Sequence, residues 1–125
     1  GGVPTIPTWL APTQVRLIPV ADRHIEYAEG VASMMRDVRV DIDDRDETVG
    51  KRIRAAGRDW IPYVAVIGDT EVESGILSVT IRAESEKVEE TAQRLRERVI
   101  SEIAGMPYRQ INLPVMLSQR AVFFG

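Results

Sequence analysis

Hydrophobic and polar positions follow strand-like patterns in four places along the chain. Residues 38–43 alternate apolar and charged side chains, and residues 76–82 repeat this alternation, which is typical of half-buried strands. Residues 14–20 form a short β-rich run. Residues 63–67 are apolar without alternation and lie between proline and glycine, which indicates a central strand covered on both faces. The pattern therefore predicts four strands.

Three other segments carry apolar residues at spacings of three and four, which is typical of helices that bury one face. The first begins at Asp22 as a cap, the second covers residues 47–58 and is basic, and the third begins at Ser85. The third has the longest apolar stripe, and we expect it to be the longest helix. Its stripe consists of Val88, Ala92, Leu95, Val99 and Ile103. The link of residues 68–75 is predicted to be a turn with a bulge or tight bend.

The predicted order is strand, helix, strand, helix, strand, strand, helix. Strands that alternate with helices give a parallel sheet, and the short link at residues 68–75 allows one antiparallel strand. We therefore expect an α/β fold with a mixed, mostly parallel sheet. Residues 1–12 are rich in proline and are interpreted as a linker or cloning remnant, followed by a domain at 13–105. The apolar tail 106–125 is expected to dock through Leu113, Met116, Leu117 and Phe123.

Composition narrows the chemistry further. The 125 residues include no cysteine and one histidine, which excludes disulfides, thiolate catalysis and multi-histidine metal sites. The net charge is −3, and no apolar stretch is long enough to span a membrane. A start at Gly1 and Gly2 without methionine predicts an excised piece of a longer protein.

Four acids lie close together in the sequence: Asp41, Asp43, Asp44 and Asp46. Clustered carboxylates suit Mg²⁺ or Ca²⁺, but the glycine and glutamate of a calcium loop are missing here. We expect a solvated strand end rather than a metal site. No nucleophile motif accompanies His24, which is interpreted as a surface histidine, and we predict no catalytic residue in the chain.

The segment 45–58 has an excess of positive charge although the protein is acidic. It follows a predicted strand, so its first residues lie where open α/β sheets bind ligands. The pattern fits a helix that holds nucleic-acid phosphates, and it also fits an ordinary amphipathic helix with a cationic outer face. In the link that follows, Glu71 could accept hydrogen bonds from the pairing edge of an unstacked base.

Two runs in combination resemble a known family. They are DDRDETVGKRIR at residues 43–54 and WIPYVAVIGDTEVESG at residues 60–75. Both look like the anticodon-binding domain of threonyl-tRNA synthetases, which are class II aminoacyl-tRNA synthetases. The resemblance covers residues 12–103. The runs WLAP at 9–12 and NLPVMLS at 112–118 look like the archaeal type of enzyme.

The resemblance implies a fold with five strands and three helices, in which Ala83 or the tail would supply the missing strand. It also implies that the domain reads the anticodon of threonine tRNA for a parent enzyme that attaches threonine. That parent would be cytoplasmic and homodimeric and would use ATP and zinc, whereas this chain would hold no cofactor and bind no DNA. The catalytic domain of the parent would be its neighbour.

The family also implies which residues contact the anticodon. Matching positions here are Arg45, Asp46, Lys51, Arg54, Glu71, Thr80 and Arg82. Bacterial relatives carry a base-contacting arginine at the position of Thr80, and a threonine cannot replace its bidentate fork. Arg82, two residues further on, is expected to take that role.

Three alternatives remain open from the sequence. The domain could come from a truncated, editing-type synthetase that lost the adenylation site. It could be a relative that now mediates protein interaction or dimerisation. It could also be a small enzyme that uses the acid cluster and a divalent metal.

Overall fold

A computed structural model describes residues 5–106 and 114–120 of the chain. Its centre is one sheet of five strands in the order β2-β1-β3-β4-β5. The strands are β1 Val15–Pro19, β2 Val40–Ile42, β3 Tyr63–Ile67, β4 Ile76–Ile81 and β5 Glu86–Thr91. β1 pairs in parallel with β2 and β3, whereas β4 pairs antiparallel with both β3 and β5. The predicted mixed α/β sheet is confirmed, but two of its four strand pairings are parallel and two are antiparallel, so it is not mostly parallel as expected.

Four α-helices surround the sheet: α1 Ile25–Met34, α2 Val49–Arg58, α3 Asp69–Ser74 and α4 Ala92–Ile103. α1 and α4 pack together on one face, where they bury the main hydrophobic core. α2 lies against β1 on the opposite face, above the fully buried Ile18. Among the described residues, no helix is long and apolar enough to cross a membrane.

Alternation along β3 divides its side chains between the two faces of the sheet. Tyr63, Ala65 and Ile67 are buried in the core, while Val64 and Val66 are only half-buried on the face of α2. β4 shows the same division, because successive side chains of a strand point to opposite faces. α2 covers β1 but leaves the neighbouring part of this face open.

The helix predicted from Ser85 begins only at Ala92, and the residues before it form β5. The prediction was wrong because Val88 fits the apolar stripe of the helix by spacing, and glutamate and lysine favour helices. In the structure Val88 instead faces Val79 of β4 and packs on the core. The missing fifth strand is therefore β5, and neither Ala83 nor the tail supplies it.

The link between β3 and β4 was predicted as a turn, and it is the short helix α3. Gly68 precedes this helix, and Gly75 ends it with φ of +73°, a left-handed conformation that glycine adopts without strain. The prediction failed because six helical residues are too few to show a periodic pattern.

Both ends of the described chain are fixed to the domain. The 3-10 turn Thr8–Leu10 lies in the segment interpreted as a linker, and the Thr8 hydroxyl donates to Glu102 Oε2 at 2.6 Å. In the tail, Leu117 is buried, and Met116 packs on the core beside β2. Leu113 and Phe123, also expected to pack, lie outside the described residues.

Candidate nucleic-acid interface

The open part of the sheet forms the floor of a concavity of about 640 Å³. Val64 and Val66 of β3 lie beside Ser78 and Thr80 of β4 on this floor, and Ile53 of α2 forms part of one wall. Charged groups stand at its border: Glu71, Arg82 and Lys87. An apolar floor with a few charged groups around it suits a flat ring that carries polar atoms on its edge.

Glu71 enters the concavity from α3. Its Oε1 accepts the backbone N–H of Gly68 at 2.8 Å, so the side chain caps the helix on which it stands. The residue is half-buried. The cap fixes the direction of the carboxylate toward the concavity, while Glu73 on the same helix is exposed and has no place in the lining.

Thr80 and Arg82 share the concavity but differ in position. Thr80 lies within β4, opposite Val64 of β3 and Lys87 of β5. Arg82 follows the end of β4, and its guanidinium donates to Gly57 O at the end of α2. Thr80 and Arg82, the residue expected to replace the arginine missing at position 80, therefore line one site, with Arg82 nearer to α2.

Cationic residues of α2, together with Arg45 ahead of this helix, lie in a separate groove beside the concavity. Arg45, Lys51, Arg54 and Arg58 line it. Arg45 is paired with the buried Asp43, and Lys51 lies 3.8 Å from Glu47. Arg54 and Arg58 are exposed and form no ion pair with the residues that the structure describes. Two of these four cations thus remain available for an external anion.

Arg52, in the same basic segment, is a structural residue. It is buried, and its guanidinium donates to Pro19 O at 2.7 Å and to Asp43 O at 2.8 Å. These carbonyls lie just at or beyond the carboxyl ends of β1 and β2, so Arg52 fastens α2 to that edge of the sheet. Its role explains why this helix, with few large apolar residues, stays on the domain.

The predicted solvated strand end is wrong for two of the four acids. Asp41 is buried and accepts two hydrogen bonds from Arg16, and Asp43 is buried against Arg45. Burial raises the pKa of Asp43, but hydrogen bonds from Arg45 outweigh that effect and leave the pKa lowered. Asp44 accepts the N–H and hydroxyl of Ser118 in the tail. These carboxylates hold the fold together.

Asp46 is exposed and lies outside both the concavity and the cationic groove. It borders a third depression, together with Asp44 and Arg45, at the carboxyl ends of β1 and β2. The predicted site residues therefore fall into three neighbouring places: Glu71, Thr80 and Arg82 in the concavity, Arg45, Lys51 and Arg54 in the groove, and Asp46 apart from both.

His24 is buried and is not the surface residue that the sequence suggested. Its Nδ1 accepts the N–H of Ala21 at 3.1 Å, so Nε2 carries the proton and donates to Asp69 Oδ1 at 2.6 Å. Arg23 also pairs with Asp69. Hydrogen bonds from Arg23 and then from His24 lower the pKa of Asp69. This cluster ties the start of α1 to the start of α3, and hence supports Glu71.

Lys87 and Trp60 were not identified from the sequence. Lys87 fell within a predicted helix, and residues 86–91 contain a single apolar residue, so no alternation in the sequence indicated the strand. Trp60 stands within the recognised run at 60–75, where it was not given a role. In the structure its ring lies beside Arg82, which lines the concavity.

Residues 14–102 match the family model described as an anticodon binding domain. The match covers well over half of the chain, and the five-stranded mixed sheet agrees with it, so the chain belongs to this family.

Within the family, its sequence is similar to those of archaeal threonine–tRNA ligases. It is 61% identical to the enzyme of Methanococcoides burtonii and 56% identical to that of Methanothrix thermoacetophila, in each case over 98% of the chain. The chain spans about 20% of the length of these relatives.

Solved structures agree with this placement. The RNA binding domain of threonyl-tRNA synthetase from Cryptosporidium parvum superimposes with a TM-score of 0.72 at 25% identity, covering 78% of this chain and 25% of that one. Prolyl-tRNA synthetase from the same organism shares the fold, with a TM-score of 0.71 at 23% identity over 78% of this chain and 22% of its own. The resemblance to the threonyl-tRNA synthetase family is confirmed.

Proposed function

We propose that this chain binds the anticodon loop of threonine tRNA as part of a threonine–tRNA ligase. The concavity is the observation that carries the proposal. It combines an apolar floor wide enough for a base with a carboxylate and a guanidinium at its border, Glu71 and Arg82. Few other ligands need both a flat apolar surface and hydrogen-bonding partners of both charges.

The cationic groove and the concavity bind different parts of the RNA. Arg54 and Arg58 on the outer face of α2 hold phosphates of the loop, because they are exposed and carry no internal ion pair among the described residues. The concavity takes an unstacked base and contacts its edge through Glu71, Thr80 and Arg82. Phosphate contacts position the RNA, and the base contacts give the sequence preference.

The rest of the enzyme lies outside this chain. We propose that the parent is a full ligase, which attaches threonine with ATP, carries zinc in another domain and works in the cytoplasm as a homodimer. The high identity to archaeal threonine–tRNA ligases supports the full ligase over an editing-type or repurposed relative.

A binding titration tests the proposal. A fluorescein-labelled stem–loop RNA with the threonine anticodon is titrated with the chain, beside a copy in which the anticodon is replaced and the loop length kept. We expect weak but clear binding of the first RNA, and weaker binding of the second by about tenfold, which corresponds to one good base contact. Equal affinity for both RNAs would contradict base reading, and no binding of either would contradict the function.

A further inference from the structure

Trp60 occupies a backbone position where glycine is the usual residue. It follows α2 with φ of +59°, in the left-handed region. Its N–H donates to Gly57 O at 3.2 Å, and the N–H of Ile61 donates to Ala56 O at 3.2 Å. This pair of bonds is the Schellman motif, in which the left-handed residue is ordinarily glycine because any side chain there is strained.

The tryptophan is 39% exposed, so its ring is only partly buried. One contact of the ring is with Arg82, whose guanidinium carbon lies 5.1 Å from the ring centroid. This distance is within the range of cation–π attraction, for which tryptophan is the strongest partner.

Arg82 is held at two more points. Its own N–H donates to Pro62 O at 2.9 Å, and NH1 of its guanidinium donates to Gly57 O at 2.9 Å. Gly57 O therefore receives both the Trp60 amide and the Arg82 side chain. The end of α2, the indole ring and the guanidinium therefore form one unit, of which Gly57 and Arg82 line the concavity, while Trp60 lines a smaller depression on the other side of Arg82.

We propose that Trp60 is a positioning residue that fixes Arg82 for recognition of guanine in the concavity. The inference rests on the proposed function. Arginine reads guanine through O6 and N7, and this requires a guanidinium plane of defined orientation. A long side chain normally loses rotamer freedom when it binds, and a stacked arginine has lost most of it beforehand. In this interpretation, the strained backbone at Trp60 is the energetic cost of restricting the Arg82 rotamer before the base binds.

The test compares four variants of the chain: Trp60→Asn, Trp60→Phe, Arg82→Ala and the Asn/Ala double variant. Asparagine tolerates the left-handed backbone and removes the ring, while phenylalanine keeps an aromatic face. Each is titrated with a threonine anticodon stem–loop that has guanine in the middle position, and with a copy that has adenine there. Melting temperatures confirm that every variant is folded.

We expect Trp60→Asn to weaken binding of the guanine RNA by roughly two- to fivefold, the size of an exposed cation–π contact. Binding of the adenine RNA should not change, so the preference for guanine falls. Trp60→Phe should restore part of this preference. In the Arg82→Ala background, removal of the ring should cause no further loss, because Trp60 then has no guanidinium to orient.

Other results would overturn the inference in distinguishable ways. If Arg82→Ala reduces the preference for guanine and Trp60→Asn does not, the proposed function stands and the positioning role is wrong. If removal of the ring weakens binding of both RNAs equally, the positioning role is also refuted, because the ring would then contribute to binding regardless of the base. If the unaltered chain does not prefer guanine, the base-reading function fails and this inference fails with it.

Discussion

At the scale of single residues, the buried ion pair between Arg16 and Asp41 is important for the stability of the fold. Both side chains are almost fully buried in the sheet, and Thr13 adds a hydrogen bond to the same carboxylate. Buried charges are tolerated when each has a partner, and removal of Asp41 would leave Arg16 with the more exposed Asp59, 2.7 Å away, as its carboxylate partner among the described residues. The pair therefore makes the fold dependent on a polar contact between the edge strand β2 and its neighbour β1.

We predict that Asp41→Ala lowers the free energy of unfolding by about 3 kcal/mol or more. Urea denaturation of the purified chain measures the change. Asp37→Ala is the matched control, because Asp37 pairs with Arg96 at the surface and such exposed pairs contribute about 0–1 kcal/mol. A loss for Asp41→Ala no greater than for Asp37→Ala would show that the buried pair is not important for stability.

The Glu71 side chain caps α3 and is also proposed to contact a base, and a single substitution can separate these two roles. Glu71→Gln keeps an oxygen that can accept the Gly68 N–H, so α3 should keep its cap. It also introduces a donor where guanine or uracil presents its own N–H groups. We predict that this change weakens binding of the cognate anticodon loop by about 1–3 kcal/mol and leaves the melting temperature nearly unchanged.

Glu73→Gln is the control for this prediction, since it makes the same chemical change on the same helix outside the concavity. Fluorescence anisotropy with labelled RNA measures both variants. A loss of binding for Glu73→Gln alone would show that Glu73, and not Glu71, contacts the base. No loss for either variant would show that α3 does not contact the base.

Among the elements, α2 has two faces with different roles. Arg52 on its inner face is buried and bonded to backbone carbonyls, whereas Arg54 and Arg58 on its outer face are exposed. The sequence predicts the helix and its positive charge but not this division. Arg52 differs from the exposed arginines of α2 in the backbone carbonyls that accept its hydrogen bonds. These carbonyls belong to β1 and to the residue after β2, which are distant from Arg52 in the sequence.

We predict that Arg54→Ala combined with Arg58→Ala makes RNA binding less dependent on salt. Each phosphate neutralised on a single strand contributes a slope of about −0.7 to log K against log salt concentration. Titrations between low and physiological ionic strength measure this slope. Arg36→Ala with Arg94→Ala removes the same charge from α4 and the end of α1, and it should leave the slope unchanged. Equal slopes in all three proteins would contradict phosphate binding by α2.

The strands and helices also show where sequence reasoning succeeds. β1 and β3 are predicted nearly to the residue, because short apolar runs bounded by proline or glycine permit few other structures. β5 is missed because its four charged residues around Val88 favour a helix, and only its pairing with β4 makes it a strand. The recognised runs lead to Glu71 and Arg82, but Trp60 acquires its role only from the left-handed backbone and the guanidinium beside it.

For the whole molecule, the tail extends the sheet beyond its β2 edge. Ile42 N–H donates to Val115 O at 3.0 Å, and Leu117 is buried beside it. Arg120 reaches Asp41 at 3.2 Å, so the tail also contributes to the buried ion-pair network. The tail is thus connected to the domain by backbone, apolar and charged contacts.

We predict that deletion of residues 110–125 lowers the melting temperature by roughly 5 °C or more, since each kcal/mol corresponds to about that shift in a domain of this size. Leu117→Ala should lower it by a smaller amount. Differential scanning calorimetry measures both. An unchanged melting temperature after the deletion would show that these contacts do not stabilise the domain.

The central claim is that one face of the sheet, beside α2, receives the anticodon loop. Amide chemical-shift mapping of the ¹⁵N-labelled chain with the threonine anticodon stem–loop tests it most directly. We predict that the largest shifts fall on Val64, Val66, Thr80 and Arg82 and on the outer face of α2. Shifts concentrated instead on α1 and α4, on the opposite face of the sheet, would contradict the account.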